Sequence, residues 1–239
     1  MRLKYLKNIG LANLIFYFFS VSVIIIAIFF DKKLLMFAIP ATITSIGALY
    51  IKNDKNINFW YLGSLITMSV CNVLIYIDFI KYFLSINILI TLYHFLSVIS
   101  LIDYIDFKKI KRTNFFSFSL IIATLLILYL IYAVVDLIFD FILPYIGFSL
   151  LSVVGLMLYV IVSFVLYKTE VYKSGIKLLI AAYIWMFVHA MTPINEISIN
   201  FRIFTVLIIA MHIIGLYLFM RFLIENEPTK NQSDSEKYL

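Results

Sequence analysis

IGLANLIFYFFSVSVIIIAIFF, residues 9–30, contains no charged side chain. A helix needs about 20 mostly apolar residues to cross the hydrocarbon of a bilayer, and this stretch supplies them. Arg2, Lys4 and Lys7 precede it, as basic residues precede a secretory signal. The apolar run continues to Phe30 without a small-residue cleavage site, so it reads as a retained first span. A strand reading fails because the run is long and lacks strict polar–apolar alternation. In lipid, a helix also satisfies its backbone polar groups internally.

The same reading extends along the chain. Further apolar segments lie at 34–51, 58–78, 82–102, 115–135, 146–167, 176–192 and 203–223, the second and seventh segments of the chain being the shortest. Of 239 residues, 64% are hydrophobic and only 13% charged. A soluble domain is roughly half apolar and about a quarter charged, and one of this size could not bury the excess. Composition therefore excludes a soluble globular enzyme, a disordered chain and a disulfide scaffold; Cys71 is the single cysteine. The expected fold is an all-α bundle of eight transmembrane helices.

Net charge is +6, but the basic residues fall between apolar runs, as topology signals do. With the N-terminus inside, fifteen of the nineteen Lys and Arg residues are cytoplasmic; Lys32, Lys33, Lys81 and Arg202 are outside. Both termini are thus expected in the cytoplasm. Residues 1–224 form one expected membrane domain, and 225–239 a polar, disordered tail. Pro40 is expected to kink the second span, while Trp60, Tyr61, Tyr82 and Tyr145 suit an interfacial belt. Seven glycines suggest that close glycine-mediated packing is not a major theme. Four Arg against fifteen Lys, with abundant Ile and Asn, suggest an AT-rich bacterial genome and hence a bacterial inner membrane.

Polar groups at membrane depth are costly and mark function. Asn13, Asn72, Asn87, His94, His189 and His212 are such groups. At about 1.5 Å of rise per residue, Asn72 and His189 fall in the outer half, with His94, His212 and Tyr159 near the middle. One cavity opening outward could gather all five. The alternative for each is an ordinary interhelical hydrogen bond. Asp136 and Asp140 suit a solvated helix end, Asn195 and Glu196 a polar outer loop, and Lys108 to Arg112 a topology signal. There is no phosphate loop, nucleophile elbow, HExxH or CxxC, and nothing suggests nucleic-acid binding.

GLMLYVIVSFVLYK (155–168), LIAAYIWMFVHAM (179–191), MHIIGLYLF (211–219) and ILITLYHFLSVI (88–99) resemble spans of the lysoplasmalogenase-like (YhhN-type) membrane proteins. Tyr159 and His94 stand at that family's tyrosine and histidine, and Lys33 at the lysine of its Lys-Pro motif. The chain departs from the pattern at Leu34, where the family has proline. It departs also at Cys71-Asn72 for Gly-Asp, Val188-His189 for Ser-Asp, and Gly215-Leu216 for Ala-Gln. The resemblance implies eight spans and hydrolysis of the vinyl-ether bond of lysoplasmalogens, with no cofactor or metal.

Vinyl-ether cleavage begins with proton delivery to the enol-ether carbon. Water then adds, and the hemiacetal collapses to an aldehyde and a glycerophospho-headgroup. A carboxyl in a low-dielectric site is suited to the acid role; asparagine orients but supplies no proton, whereas histidine can supply one. The expected catalytic residues are therefore His189, Asn72 and His94, with Tyr159, His212 and Lys33 binding substrate. Membrane lipids are the expected partners. A catalytically inert lipid-binding relative is the alternative, and the missing aspartates favour it. A transporter is a third reading, but it would show repeats and broken helices.

Overall fold

The computed structural model of the chain describes residues 10–54, 56–112 and 118–228. Among them there are helices and connecting turns but no strands. The long helices are α1 (Leu11–Phe29), α2 (Leu35–Asn53), α3 (Phe59–Asp78) and α4 (Phe83–Leu101). Then come α5 (Phe118–Leu137), α6 (Ile146–Lys168), α7 (Gly175–Pro193) and α8 (Arg202–Glu225). Seven of them, with their flanking turns, are long and apolar enough to cross a membrane, which makes the chain an integral membrane protein. The remaining one is α5, whose described side chains cover the shorter apolar stretch Leu125–Leu137. The expected basic segment 1–9, Lys55 and most of the polar tail lie outside the described residues.

The seven pack as a closed circuit: α1 on α2, then α3, α4, α6, α7 and α8, which returns to α1. Helix α5 stands outside that circuit, against α7. Its outward residues Leu125, Leu126, Leu128, Tyr129 and Tyr132 are exposed, as suits a face turned to lipid. Lys108 to Arg112, the basic stretch read as a topology signal, belongs to a short helix, Phe107–Arg112.

The turns of the bundle gather at two ends. At one, Lys32 Nζ meets Glu196 Oε2 at 2.5 Å, and the Arg202 guanidinium donates to the carbonyl of Phe30. At the other, Lys177 and Arg221 both pair with Glu225, and Asn226 Nδ2 donates to Ser174 Oγ at 2.5 Å.

Local chemistry sets these turns. Asn58 caps α3, its Oδ1 accepting from the backbone N–H of Trp60 (3.0 Å) and Tyr61 (3.3 Å). Its Nδ2 donates to the carbonyl of Ser100 at 2.9 Å, and its own N–H to Tyr50 Oη at 2.8 Å. One asparagine thus ties three helices. Helix α2 continues through Pro40; Thr44 Oγ1 donates to the Pro40 carbonyl at 2.8 Å.

Three expectations are corrected. Tyr61 does not join an interfacial belt: it is fully buried, edge-on to Tyr50 and Phe219, while Trp60 beside it is exposed. Asn195 and Glu196 are not in a solvated loop. They belong to a π-turn, Ile194–Ile199, that follows Pro193 and ends at Asn200 in the left-handed region. Asn195 is 0% exposed; its Nδ2 donates to Thr205 Oγ1 and its Oδ1 accepts from Phe201 N–H, each at 3.0 Å. Asn195→Ala orphans the buried Thr205 hydroxyl and the Phe201 N–H and should cost about 1–3 kcal/mol, read as a lower thermal midpoint in detergent. Glycine, the third case, does mediate close packing where it matters most, as follows.

Candidate functional site

Helical periodicity builds the site. Residues spaced i, i+3, i+4, i+7 share one face of a helix. On α3 that face is Met68, Cys71, Asn72, Ile75 and Tyr76; on α4 it is Phe83, Ile86, Asn87 and Ile90. On α6 it is Ser149, Ser152, Val153 and Leu156; on α7, Trp185, Val188, His189 and Thr192; on α8, Ile208 and His212. These faces converge with Val134 and Val135 of α5 around a cavity of about 140 Å³. It lies in the half of the bundle nearest the Lys32–Glu196 ion pair. No Lys, Arg, Asp or Glu side chain lines it. A second cavity of about 80 Å³ adjoins it under α5 and shares His189, Val153, Leu156, Val134 and Val135.

Of the residues singled out in the sequence, Asn72, His189 and His212 line the first cavity. His94 lies one turn beyond Ile90 on α4, 0% exposed, with its ring 4.8 Å from that of His189. Tyr159 continues inward from Leu156 on α6, its ring 6.0 Å from that of His94. These two therefore sit beneath the cavity rather than on its wall. Lys33 is not brought to the site: it is exposed in the turn before α2 and lines neither cavity. Its neighbour Lys32 makes the ion pair instead. Asn13 is on α1 and lines neither cavity. Asp136 and Asp140 are exposed.

Back-bonding to the preceding turn fixes the polar atoms. His189 Nδ1 lies 2.9 Å from the carbonyl of Trp185, and His94 Nδ1 lies 2.9 Å from that of Ile90. A carbonyl only accepts, so each Nδ1 carries the hydrogen. Each neutral ring then keeps a bare lone pair on Nε2. Asn72 Nδ2 donates to the carbonyl of Met68 at 2.8 Å, which leaves its Oδ1 as the free acceptor. Asn87 Nδ2 donates to Phe83 O at 2.9 Å, and its Oδ1 accepts from Ser152 Oγ at 3.2 Å. That pair ties α4 to α6 across the wall.

Buried polar atoms normally find partners. Here Nε2 of His94, His189 and His212, Nε1 of Trp185 and the hydroxyl oxygens of Tyr93, Tyr159 and Ser149 have none. Trp185 is the hub, its ring 4.7 Å from Tyr93, 4.9 Å from His212 and 5.5 Å from His189. Sequence reasoning passed over Trp185, Ser149 and Tyr93. The available signal for Trp185 was its place four residues before His189, on the same helical face.

The cluster depends on a close helix approach. A Cβ on Gly155 of α6 would sit 3.3 Å from His94 Cβ and 3.7 Å from the Thr91 carbonyl. Gly155→Leu should wedge α4 from α6 at a cost of about 1–3 kcal/mol. The expected readout is a lower thermal midpoint together with weaker ligand binding.

Among the described residues, no group of three or more His, Cys, Asp or Glu side chains is arranged to hold a metal ion. What the arrangement offers is proton acceptance at bare imidazole nitrogens, a free amide oxygen, and apolar walls. Comparison with known proteins yields no match: no family model, no curated protein and no solved structure matches the chain.

Proposed function

We propose that this chain is a membrane-embedded hydrolase of lyso-ether lipids, of the lysoplasmalogenase-like (YhhN-type) kind. In this reading it has eight spans and both termini in the cytoplasm, in a bacterial inner membrane. The observation that carries the reading is the meeting of Asn72, His189 and His212 on one uncharged wall, with His94 against His189.

The chemistry follows from the tautomer. His189 has its Nδ1 hydrogen engaged by Trp185, so it takes up a proton at Nε2 and can pass that same proton on. Delivered to the enol-ether carbon, the proton leaves an oxocarbenium centre on the carbon bonded to oxygen. Water held by Asn72 Oδ1 adds to that centre, and His189 recovers a proton from it. The hemiacetal then breaks its C–O bond to give a long-chain aldehyde and the glycerol hydroxyl of the headgroup. His94 stabilises the protonated His189 as a neutral neighbour, and Tyr159 supports His94 from below.

A second reading is favoured by one observation: the wall holds no carboxylate, the group best suited to the acid role. The chain would then bind the lipid without cleaving it. The test uses purified protein with 1-alkenyl lysophospholipid in mixed micelles, following both aldehyde release and ligand retention. Aldehyde release above a no-protein control supports the hydrolase. Retention without aldehyde supports the inert binder, and neither result removes the lipid reading altogether.

A further inference from the structure

The wall of the cavity specifies more than an apolar guest. Four lining side chains carry buried polar atoms without partners: His189 Nε2, His212 Nε2, Trp185 Nε1 and Ser149 Oγ. Their hydrogen-bonding senses differ. His189 Nε2 can only accept, because its Nδ1 holds the hydrogen. Trp185 Nε1–H can only donate. That N–H is turned to Tyr93 Oη and to Gly215, neither of which lines the cavity, so it is not offered to a guest. Ser149 and His212 can act in either sense. Asn72 adds an acceptor, its Oδ1, beside the second hydrogen of its Nδ2, the first being held by Met68. A guest that satisfies this set must donate, and it can accept from Ser149 or His212.

An ether or ester oxygen accepts only, so it leaves the imidazole and the amide oxygen unpaired. A carboxylate or phosphate also accepts only, and it brings a negative charge to a wall without Lys or Arg. Burying such a charge without a counter-ion is costly. The outer-end cations do not remedy this. Lys32 is paired with Glu196, Arg202 is turned to Phe30, and Lys33 is exposed. Lys81 is exposed as well, its Nζ 5.4 Å from the centre of the Tyr82 ring; none of the four lines the cavity. A hydroxyl is uncharged, donates once and accepts twice, and fits every one of these partners.

The remainder of the guest is set by the apolar walls. The first cavity, at about 140 Å³, is of the order that admits a benzene-sized apolar group. The second continues it under α5, between Leu130, Ile131, Met157 and Met186. Helix α5 stands outside the closed circuit, so this extension runs toward the lipid-facing side of the bundle.

We propose that the cavity recognises a neutral single-chain amphiphile by its hydroxyl group, a glycerol monoether, with the chain running under α5 and no headgroup phosphate read by the site. The inference rests on the reading of this cavity as a lyso-ether lipid site, and it narrows what that site selects. The hydroxyl of the guest donates to His189 Nε2 or Asn72 Oδ1 and accepts from Ser149 Oγ–H or His212.

The test measures equilibrium binding of radiolabelled 1-O-hexadecylglycerol to the full chain in detergent. Competitors are its 2,3-di-O-methyl derivative, 1-O-hexadecyl-glycerophosphocholine and palmitate. A saturated ether is not a vinyl ether, so binding is read without turnover. The glycerol ether is expected to bind at least as tightly as the phosphocholine form. Capping both hydroxyls should weaken binding about tenfold or more, as should His189→Leu, and palmitate should compete poorly. The proposal is overturned if the dimethyl derivative competes as well as the diol. Preference of more than about tenfold for the phosphocholine form or palmitate overturns it too, since it would mean that charge is read. Failure of aldehyde release in the separate vinyl-ether assay sinks hydrolysis alone, and loss of the hydroxyl preference sinks this inference alone.

Discussion

His189→Asn should lower vinyl-ether turnover about a hundredfold or more, the usual scale for removing a general acid–base group, while the protein stays folded. Asparagine can keep the local bond that histidine makes. Asn72 and Asn87 each donate from Nδ2 to the carbonyl four residues back, at 2.8 and 2.9 Å. His189 makes the equivalent contact to Trp185 at 2.9 Å. The variant therefore loses the atom that carries the proton without losing the bond that seats the side chain. Aldehyde release and the thermal midpoint, measured on the same preparation, separate these effects. An unchanged rate in a folded variant would remove His189 from the mechanism.

Trp185→Ala should be the most destabilising single change in the cluster, at about 3–5 kcal/mol. The side chain is 1% exposed and fills the space between Tyr93, His94, His189 and His212. Its removal joins that space to the cavity, so turnover and selective binding should be lost along with stability. Trp185→Phe keeps most of the volume and deletes only the N–H donor. It should remain folded and keep the parent's discrimination against the dimethyl ether, because an ether oxygen accepts from an N–H as a hydroxyl does. Thermal unfolding in detergent, run on both variants beside the parent, separates the packing loss from the loss of the donor. If Trp185→Ala unfolded at the parent's temperature, the indole would not be the packing hub described above.

How far the sequence could be read depended on the kind of signal. Apolar runs marked the helices because length against bilayer thickness is a one-dimensional property. The depth of Asn72, His94, His189 and His212 was legible for the same reason: depth is counted along a helix. Facing is not counted that way. Tyr61 and Trp60 are adjacent and similar in chemistry, yet one is buried and the other exposed; only the packing partners Tyr50 and Phe219 distinguish them. The same holds for Lys32 and Lys33, where the position of Glu196 selects the first. Trp185 was hidden in an aromatic-rich composition. Gly155 was hidden because scarcity over a whole chain says nothing about the single place where two backbones must nearly touch.

The circuit of packed helices carries a consequence for biogenesis. Its closing seam joins the first segments to the last: Phe16 stacks on Tyr217 at 5.1 Å, and Lys32 reaches Glu196. Translation proceeds from the N-terminus, so α1 and α2 wait in the membrane with one flank uncovered until α8 has been made. A product that stops before α8 is an open crescent, with Phe16 lacking its stack on Tyr217. Helix α8 is thus the keystone of the circuit, the element whose arrival covers the open flank of α1 and α2.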